Sequence, residues 1–342
     1  MALRIGISAG TPADPAQVDY VREAERLGVD SVWSAEAWGH DALTPLAYYA
    51  AVTERVRLVT GIAQLGARTP ANLAMSAMAM QAMSHGRFVL GLGTSGPQVM
   101  EGWHGVRFDR PVTRTRETID ILRMATAGEK VAYDGDVYTL PLPDGEGVPI
   151  RSRLPAVRIP IYLAALGPRN LRLTGAAADG WIGNSFFPET ADVFLDQIRA
   201  GAAEAGRTLA DLDVTVAVSV EFTEDAEEAG RRHADGYAFT FGAMGSAKTN
   251  FYNDAFVRQG YGEDVRAVQA LWRAGDRTAA ARRVPTAIGL GTNLIGTDDM
   301  VAGRLRQYRD AGVTTLRVGP AGATHAERLD TIGRLMDLVR AV

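Results

Sequence analysis

Gly91, Gly93 and Gly96, in the run RFVLGLGTSGP, spell G-x-G-x-x-G. With this spacing a strand–turn–helix unit brings backbone close to a pyrophosphate. That unit needs its third glycine to open a helix that leads directly into a second strand. Here Pro97 follows at once, and then comes QVMEGWHGVRFDRP, which reads as a loop or at most a short helix. The next convincing helical pattern starts near Val112, and three strand-like runs already precede this one. The glycines therefore read as the end of a barrel strand, open enough for a flat ligand to lie against backbone. A glycine-rich loop that binds nothing is the alternative.

Other chemistries are limited by residue type. The chain has no Cys, which removes disulfides, thiolate metal sites and cysteine nucleophiles. His40, His85, His104, His233 and His325 are far apart and lack ligand spacing, so no metal site is expected. The only lysines, Lys130 and Lys248, fall in segments that read as insertions, which weighs against a Schiff-base lyase. A net charge of -4 with scattered arginines gives no electrostatic case for nucleic acid. No apolar run approaches the length of a membrane span, and MALRIGISAG reads as a first strand rather than a signal peptide. The expectation is a cytoplasmic protein without membrane or nucleic-acid partners.

The elements that must position any site alternate regularly. LRIGIS is a strand, and Pro15 to Leu27 is a helix with Val18, Val21, Ala24 and Leu27 on one face. Strands follow at Ser31–Glu36, Val56–Ile62, RFVLGLG, Ile159–Ala164, Gly180–Ser185, Val214–Phe222 and Thr314–Pro320, with helical patterns between them. One of these helices, opened by Pro70, carries Met75, Met78, Met80 and Met83, read as a core or interface face. The junctions AERLGVDSVW, GAAADGWIG and YRDAGVTTLRV each suggest a helix ended by a left-handed glycine. Eight strands over 342 residues suit one (β/α)8 TIM barrel spanning residues 1–342, with a doubly wound sheet as the rival. Residues 130–158, with a hairpin around Asp134-Gly135, and residues 223–291 exceed a minimal barrel. They are expected as insertions on the carboxyl-terminal face.

SHGRFVLGLGTSGPQV, then GWHG, then Phe108, Arg110, Pro111, Arg114, Arg116 and Glu117, resembles the luciferase-like monooxygenase superfamily. The nearest branch is the oxidoreductases dependent on the deazaflavin coenzyme F420. SVWSAEAWGHDALTP, RIPIYLAALGPRNLRLTGAAADGWIGN and AGVTTLRVGP extend the resemblance over nearly the whole chain. It implies a luciferase-like barrel and a hydride exchange between F420 and an unidentified small organic substrate. A monooxygenase using flavin mononucleotide (FMN) on the same fold, or a cofactor-binding relative without catalysis, are the alternatives. Relatives are often homodimers, so a homodimer is the expectation.

The resemblance also implies a site. A non-prolyl cis peptide at Gly61-Ile62 would back the cofactor ring. Thr94, Ser95 and Val99 would touch the ring and its side chain. Ala164, Ala165, Leu166 and Gly167 would receive the phosphate, with Pro168 as the first helical residue and the amides after it open to an anion. Gly183, Asn184 and Ser185 would complete that region. In SAEAWGHDA, Trp38 would line the pocket, and Glu36 or His40 would supply a proton. Many relatives carry an Asp-His or Glu-His pair here, whereas this chain has Glu36-Ala37-Trp38, which leaves transfer to solvent or substrate as an alternative. An aromatic wall from Tyr237, Phe239, Phe241, Phe251, Tyr252 and Phe256 would face a bulky substrate or pack on a partner subunit.

Overall fold

In the computed structural model, which describes residues 2–244 and 250–342, the alternating pattern closes into an eight-stranded parallel barrel. The strands are β1 (Arg4–Ser8), β2 (Ser31–Ser34), β3 (Arg57–Thr60), β4 (Phe88–Gly93), β5 (Ile161–Ala164), β6 (Gly180–Gly183), β7 (Asp213–Phe222) and β8 (Thr315–Pro320). Each pairs in parallel with the next, and β8 returns to β1 with Arg4 opposite Thr315. Between and after them run α1 (Pro15–Leu27), α2 (Thr44–Val52), α3 (Pro70–Met83), α4 (Pro111–Thr126), α5 (Pro168–Ala177), α6 (Asp192–Glu204), α7 (Asp298–Asp310) and α8 (His325–Ala341). This is the TIM-barrel arrangement, and it gathers the carboxyl ends of all eight strands on one face.

Alternation along each strand separates two cores. Ile5, Ile7, Val32, Leu58, Leu90 and Leu92 face outward onto the helices and are buried there. Trp33, Val59, Val89, Tyr162 and Ile182 fill the interior. Two glycines make room for this filling. A Cβ on Gly6 would lie 2.5 Å from the Trp33 indole nitrogen, and one on Gly91 would lie 1.9 Å from the Thr60 carbonyl oxygen. The second contact explains part of GLGTSG without a ligand, because the barrel wall itself demands glycine there.

The amino-terminal end of the barrel is closed by a polar knot. Asp213 accepts from Tyr162 at 2.7 Å, from Arg57 at 3.0 Å and from Thr315 at 2.8 Å, pairs with Arg4 at 2.8 Å, and also accepts from Thr314. Burial opposes ionisation of this carboxyl, but the two guanidinium groups and the hydroxyl donors outweigh it and hold its pKa at about 2.

Several sequence expectations need correction. Gly28 and Gly312 do end helices with φ of 102° and 94°. The GAAADGWIG junction works differently: α5 stops at Ala178 in extended backbone, and Gly180 already lies in β6. A Cβ there would lie 2.7 Å from the Tyr162 ring, so packing rather than helix capping selects the glycine. The methionines of α3 also divide, with Met78 and Met80 buried while Met75 and Met83 are exposed.

The two extra segments leave the barrel from different places. Residues 130–158 connect α4 to β5, so they start from the amino-terminal side, not from a strand's carboxyl end. Tyr133–Asp134 and Thr139–Leu140 form the expected hairpin. Glu117 of α4 holds its turn by accepting from the backbone amides of Asp136, Val137 and Tyr138 at 2.8–3.0 Å. The hairpin thus lies along α4. Residues 223–291 do continue from the carboxyl end of β7, and a short strand, Leu294–Gly296, pairs with Val220 to Phe222 before α7 begins. Phe241 and Phe256 are fully buried in a second core that this segment forms with Phe187, and Tyr237 packs against it. They are not a wall facing a substrate, whereas Phe251 pairs with Phe108 at 6.4 Å between centroids. Lys248 lies outside the described residues.

Candidate active site

Irregular backbone falls at the carboxyl ends of three strands, at positions expected to hold the cofactor. The Gly61–Ile62 peptide is cis and follows β3 directly. Ser95, two residues beyond β4, and Ser185, two residues beyond β6, have φ of 55° and 59°. For a residue with a side chain this left-handed conformation costs about 1–3 kcal/mol, and such positions concentrate at ligand sites.

Thr94, Ser95, Val99, Gly61, Ile62 and Ala164 are partly exposed around the mouth, and Asn184 is exposed. Ile62 and Ala164 converge at Gly93, where an added Cβ would lie 2.8 Å from the Ile62 Cδ1 and 3.4 Å from the Ala164 Cβ. The four-residue helix Pro97–Met100 after GLGTSG carries Val99. Ala165 departs from expectation: its side chain is buried among the helix-facing core, and its carbonyl accepts from the Trp181 indole at 2.9 Å. Gly183 is likewise buried, with its Cα side against Trp181.

Glu36, at the end of β2, is a knot rather than a free acid. Its carboxylate accepts from the Gln64 amide at 2.8 Å, from the Ala42 amide at 3.1 Å and from Arg68 at 2.9 Å on both oxygens. The Gln64 side chain returns a bond to the Glu36 carbonyl at 2.9 Å and accepts from His104 at 2.7 Å. Together these bonds lace the loop after β2 to the cis-peptide loop and to GWHG. Gln64, Arg68 and His104 were not singled out from sequence, because none sits in a motif by itself.

Trp38 and His40 project into the open. His40 Nδ1 lies 3.0 Å from the Asp41 carbonyl, which can only accept, so Nδ1 carries hydrogen and Nε2 is left to take up or give a proton. Asp41 caps the start of α2 by accepting from Leu43 and Thr44 amides at 2.8 and 2.9 Å. Burial would raise its pKa, but those hydrogen bonds and Arg68 outweigh burial and lower it.

At the other side of the mouth α5 begins with Gly167 as cap and Pro168 as first residue, and no side chain caps it. Arg258, from the segment after β7, reaches over and donates to the Leu166 carbonyl at 2.5 Å. The Arg258 Nε and the Asn170 Oδ1 are buried without partners among the described residues. Burial lowers the pKa of Arg258, with Asp254 opposing. Open amides at the start of α5 and the nearby Arg258 guanidinium are a combination suited to an anion. Gln259 fastens this region to β6, donating to the Ser185 carbonyl at 2.7 Å. Sequence reasoning missed Arg258 because nothing local shows where a long helical insertion folds back.

A separate cavity of about 520 Å³ lies between Phe187, the 259–261 turn and Leu294–Gly296, and none of the expected positions lines it. Among the described residues no helix is long and apolar enough to cross a membrane.

Known proteins resemble this chain along almost its whole length. A Mycobacterium tuberculosis protein, provisionally named a coenzyme F420-dependent oxidoreductase, is 38% identical over 96% of this chain and 98% of its own. The 5,10-methylenetetrahydromethanopterin reductase of Methanolobus tindarius is 30% identical over 94% and 96%. The solved coenzyme F420 dependent tetrahydromethanopterin reductase of Methanopyrus kandleri superposes with a TM-score of 0.80 at 21% identity, covering 100% of this chain and 99% of that one. The luciferase-like monooxygenase profile matches residues 3–315, and the chain belongs to that family.

Proposed function

We propose that this protein is an oxidoreductase that exchanges a hydride between coenzyme F420 and a small organic substrate. The observation that carries this reading is the 38% identity, over 96% of the chain, with a relative named as a coenzyme F420-dependent oxidoreductase. The residues at the mouth fit such a cofactor. Gly61, Ile62, Thr94, Ser95, Val99 and Ala164 would flank its ring, and Trp38 would cover it. Leu166, Gly167, the α5 amides, Asn184, Ser185 and Arg258 would hold its phosphate. The Arg258 guanidinium and the uncapped start of α5 supply the donors that a phosphate needs. When bound, the deazaflavin supplies a two-electron hydride donor or acceptor.

The protein's own groups would orient the ring, exclude water and manage one proton. Glu36 is assigned the orienting role, since both its oxygens are taken up by hydrogen bonds from the Gln64 and Ala42 amides and from Arg68. His40 Nε2 is assigned the proton, as base when substrate is oxidised and as acid when it is reduced.

The reading is tested by titrating the purified protein with F420 and with FMN in parallel. F420 is expected to bind at least about tenfold more tightly, roughly 1.4 kcal/mol. Preference for FMN would move the assignment to a monooxygenase, and binding of neither would end it. In the same assay Arg258→Ala is expected to weaken F420 by about 10- to 150-fold. That corresponds to the roughly 1.5–3 kcal/mol of a hydrogen bond to a charged group. An unchanged dissociation constant would remove Arg258 from the phosphate site.

A further inference from the structure

Three arginines stand on the barrel strands at β1, β3 and β8. Arg4 and Arg57, at the amino-terminal end, share Asp213. Arg317, at the mouth, has no such partner. Its Nη1 donates to the carbonyl of Gly61 at 3.2 Å, its only hydrogen bond among the described residues. Its guanidinium lies over the Trp33 ring at 5.6 Å. Burial lowers its pKa, and the group opposing that is the Tyr252 phenol rather than a carboxylate. Tyr252 is no counter-ion, because burial raises its own pKa and keeps it neutral.

A guanidinium drawn into a partly dry site without a counter-charge is costly unless something else meets it. It sits beside the cis peptide and over the Trp33 face. We propose that Arg317 is the substrate-recognition residue, and that the substrate carries a carboxylate which its unengaged N–H donors bind. This rests on the F420 oxidoreductase reading for the word substrate. A carboxylate is planar and singly charged, and it matches a lone guanidinium fork. A dianionic phosphate is better served at the α5 cradle, where backbone amides stand beside Arg258.

The test is isothermal titration of wild-type protein, with and without saturating F420, using benzoate, benzyl alcohol and phenyl phosphate as probes. Benzoate is expected to bind at least about tenfold more tightly than benzyl alcohol and no more weakly than phenyl phosphate. Arg317→Met is expected to weaken benzoate by about tenfold or more while leaving benzyl alcohol unchanged, and Arg317→Lys is expected to fall between. Circular dichroism confirms that each variant is folded, and the lysine variant retains a cation where methionine is not tolerated. Equal binding of benzoate and benzyl alcohol to wild type, benzoate binding undiminished in Arg317→Met, or tighter binding of phenyl phosphate would each overturn the proposal. Failure of F420 to bind refutes the functional reading separately, because the benzoate comparison is also made without it.

Discussion

Asp213→Ala is expected to cost about 3–5 kcal/mol of folding stability, because it removes the shared anion and leaves Arg4 and Arg57 beside each other. The same change strands Tyr162 and the two threonine hydroxyls that donate to it. Equilibrium urea unfolding at neutral pH reads this directly. A loss below about 1 kcal/mol would mean that Asp30, which also pairs with Arg57, and water entering the barrel floor make up for the lost anion.

The pH dependence gives an independent check on the same group. An unfolded aspartate titrates near 3.9, whereas Asp213 is held at about 2. A depressed carboxyl contributes stability that is fully present above the unfolded value and is lost as pH falls through the folded one. The wild type should therefore lose about 2–3 kcal/mol between roughly pH 5 and pH 2 from this residue alone. Asp213→Asn, which cannot ionise, should lack that component. The gap between the two proteins is expected to narrow as the solution is acidified.

The barrel was legible because its signals are local. Proline and aspartate mark the start of α1, Gly28 ends it, and its apolar face repeats at helical spacing. Eight such units in order leave few alternatives to a closed parallel sheet. Glycine was harder to read, because one residue type answers to several causes. Gly28 is required by its φ, Gly91 by the Thr60 carbonyl and Gly180 by the Tyr162 ring, yet all three look alike in sequence.

The site was legible only where it coincides with strand ends. Gly61-Ile62 and Ser185 follow strands whose positions were already fixed by pattern, and the resemblance added the cis bond. Arg258 and Gln259 come from a segment whose course depends on a small core that its Phe241 and Phe256 form with Phe187. No periodicity reports where that core docks. Arg317 lay within reach of sequence reasoning, since TTLRVGP places a charge inside a strand that must be buried on both faces. The significance of that charge shows only once Trp33, Gly61 and Tyr252 are seen around it.

His40→Asn is expected to lower kcat by about 10²–10⁴-fold, the range for loss of a positioned acid or base. Asparagine keeps a donor toward the Asp41 carbonyl but offers no proton at the far position, so the loop stays in place while the proton function goes. F420 affinity should stay within about threefold of wild type, because nothing in this change touches the phosphate cradle. Glu36→Gln separates orientation from chemistry. Its amide group would meet donors from Ala42, Gln64 or Arg68 where the carboxylate accepts from all three. The expected result is a loss of about 1–3 kcal/mol in stability with a smaller fall in kcat than His40→Asn gives. Steady-state turnover and thermal unfolding on both variants decide between the residues. If His40→Asn turned over normally while Glu36→Gln lost kcat without losing stability, the proton would belong to Glu36. If both kept full turnover, it would pass to solvent or substrate, and the loop after β2 would serve only to shape the mouth.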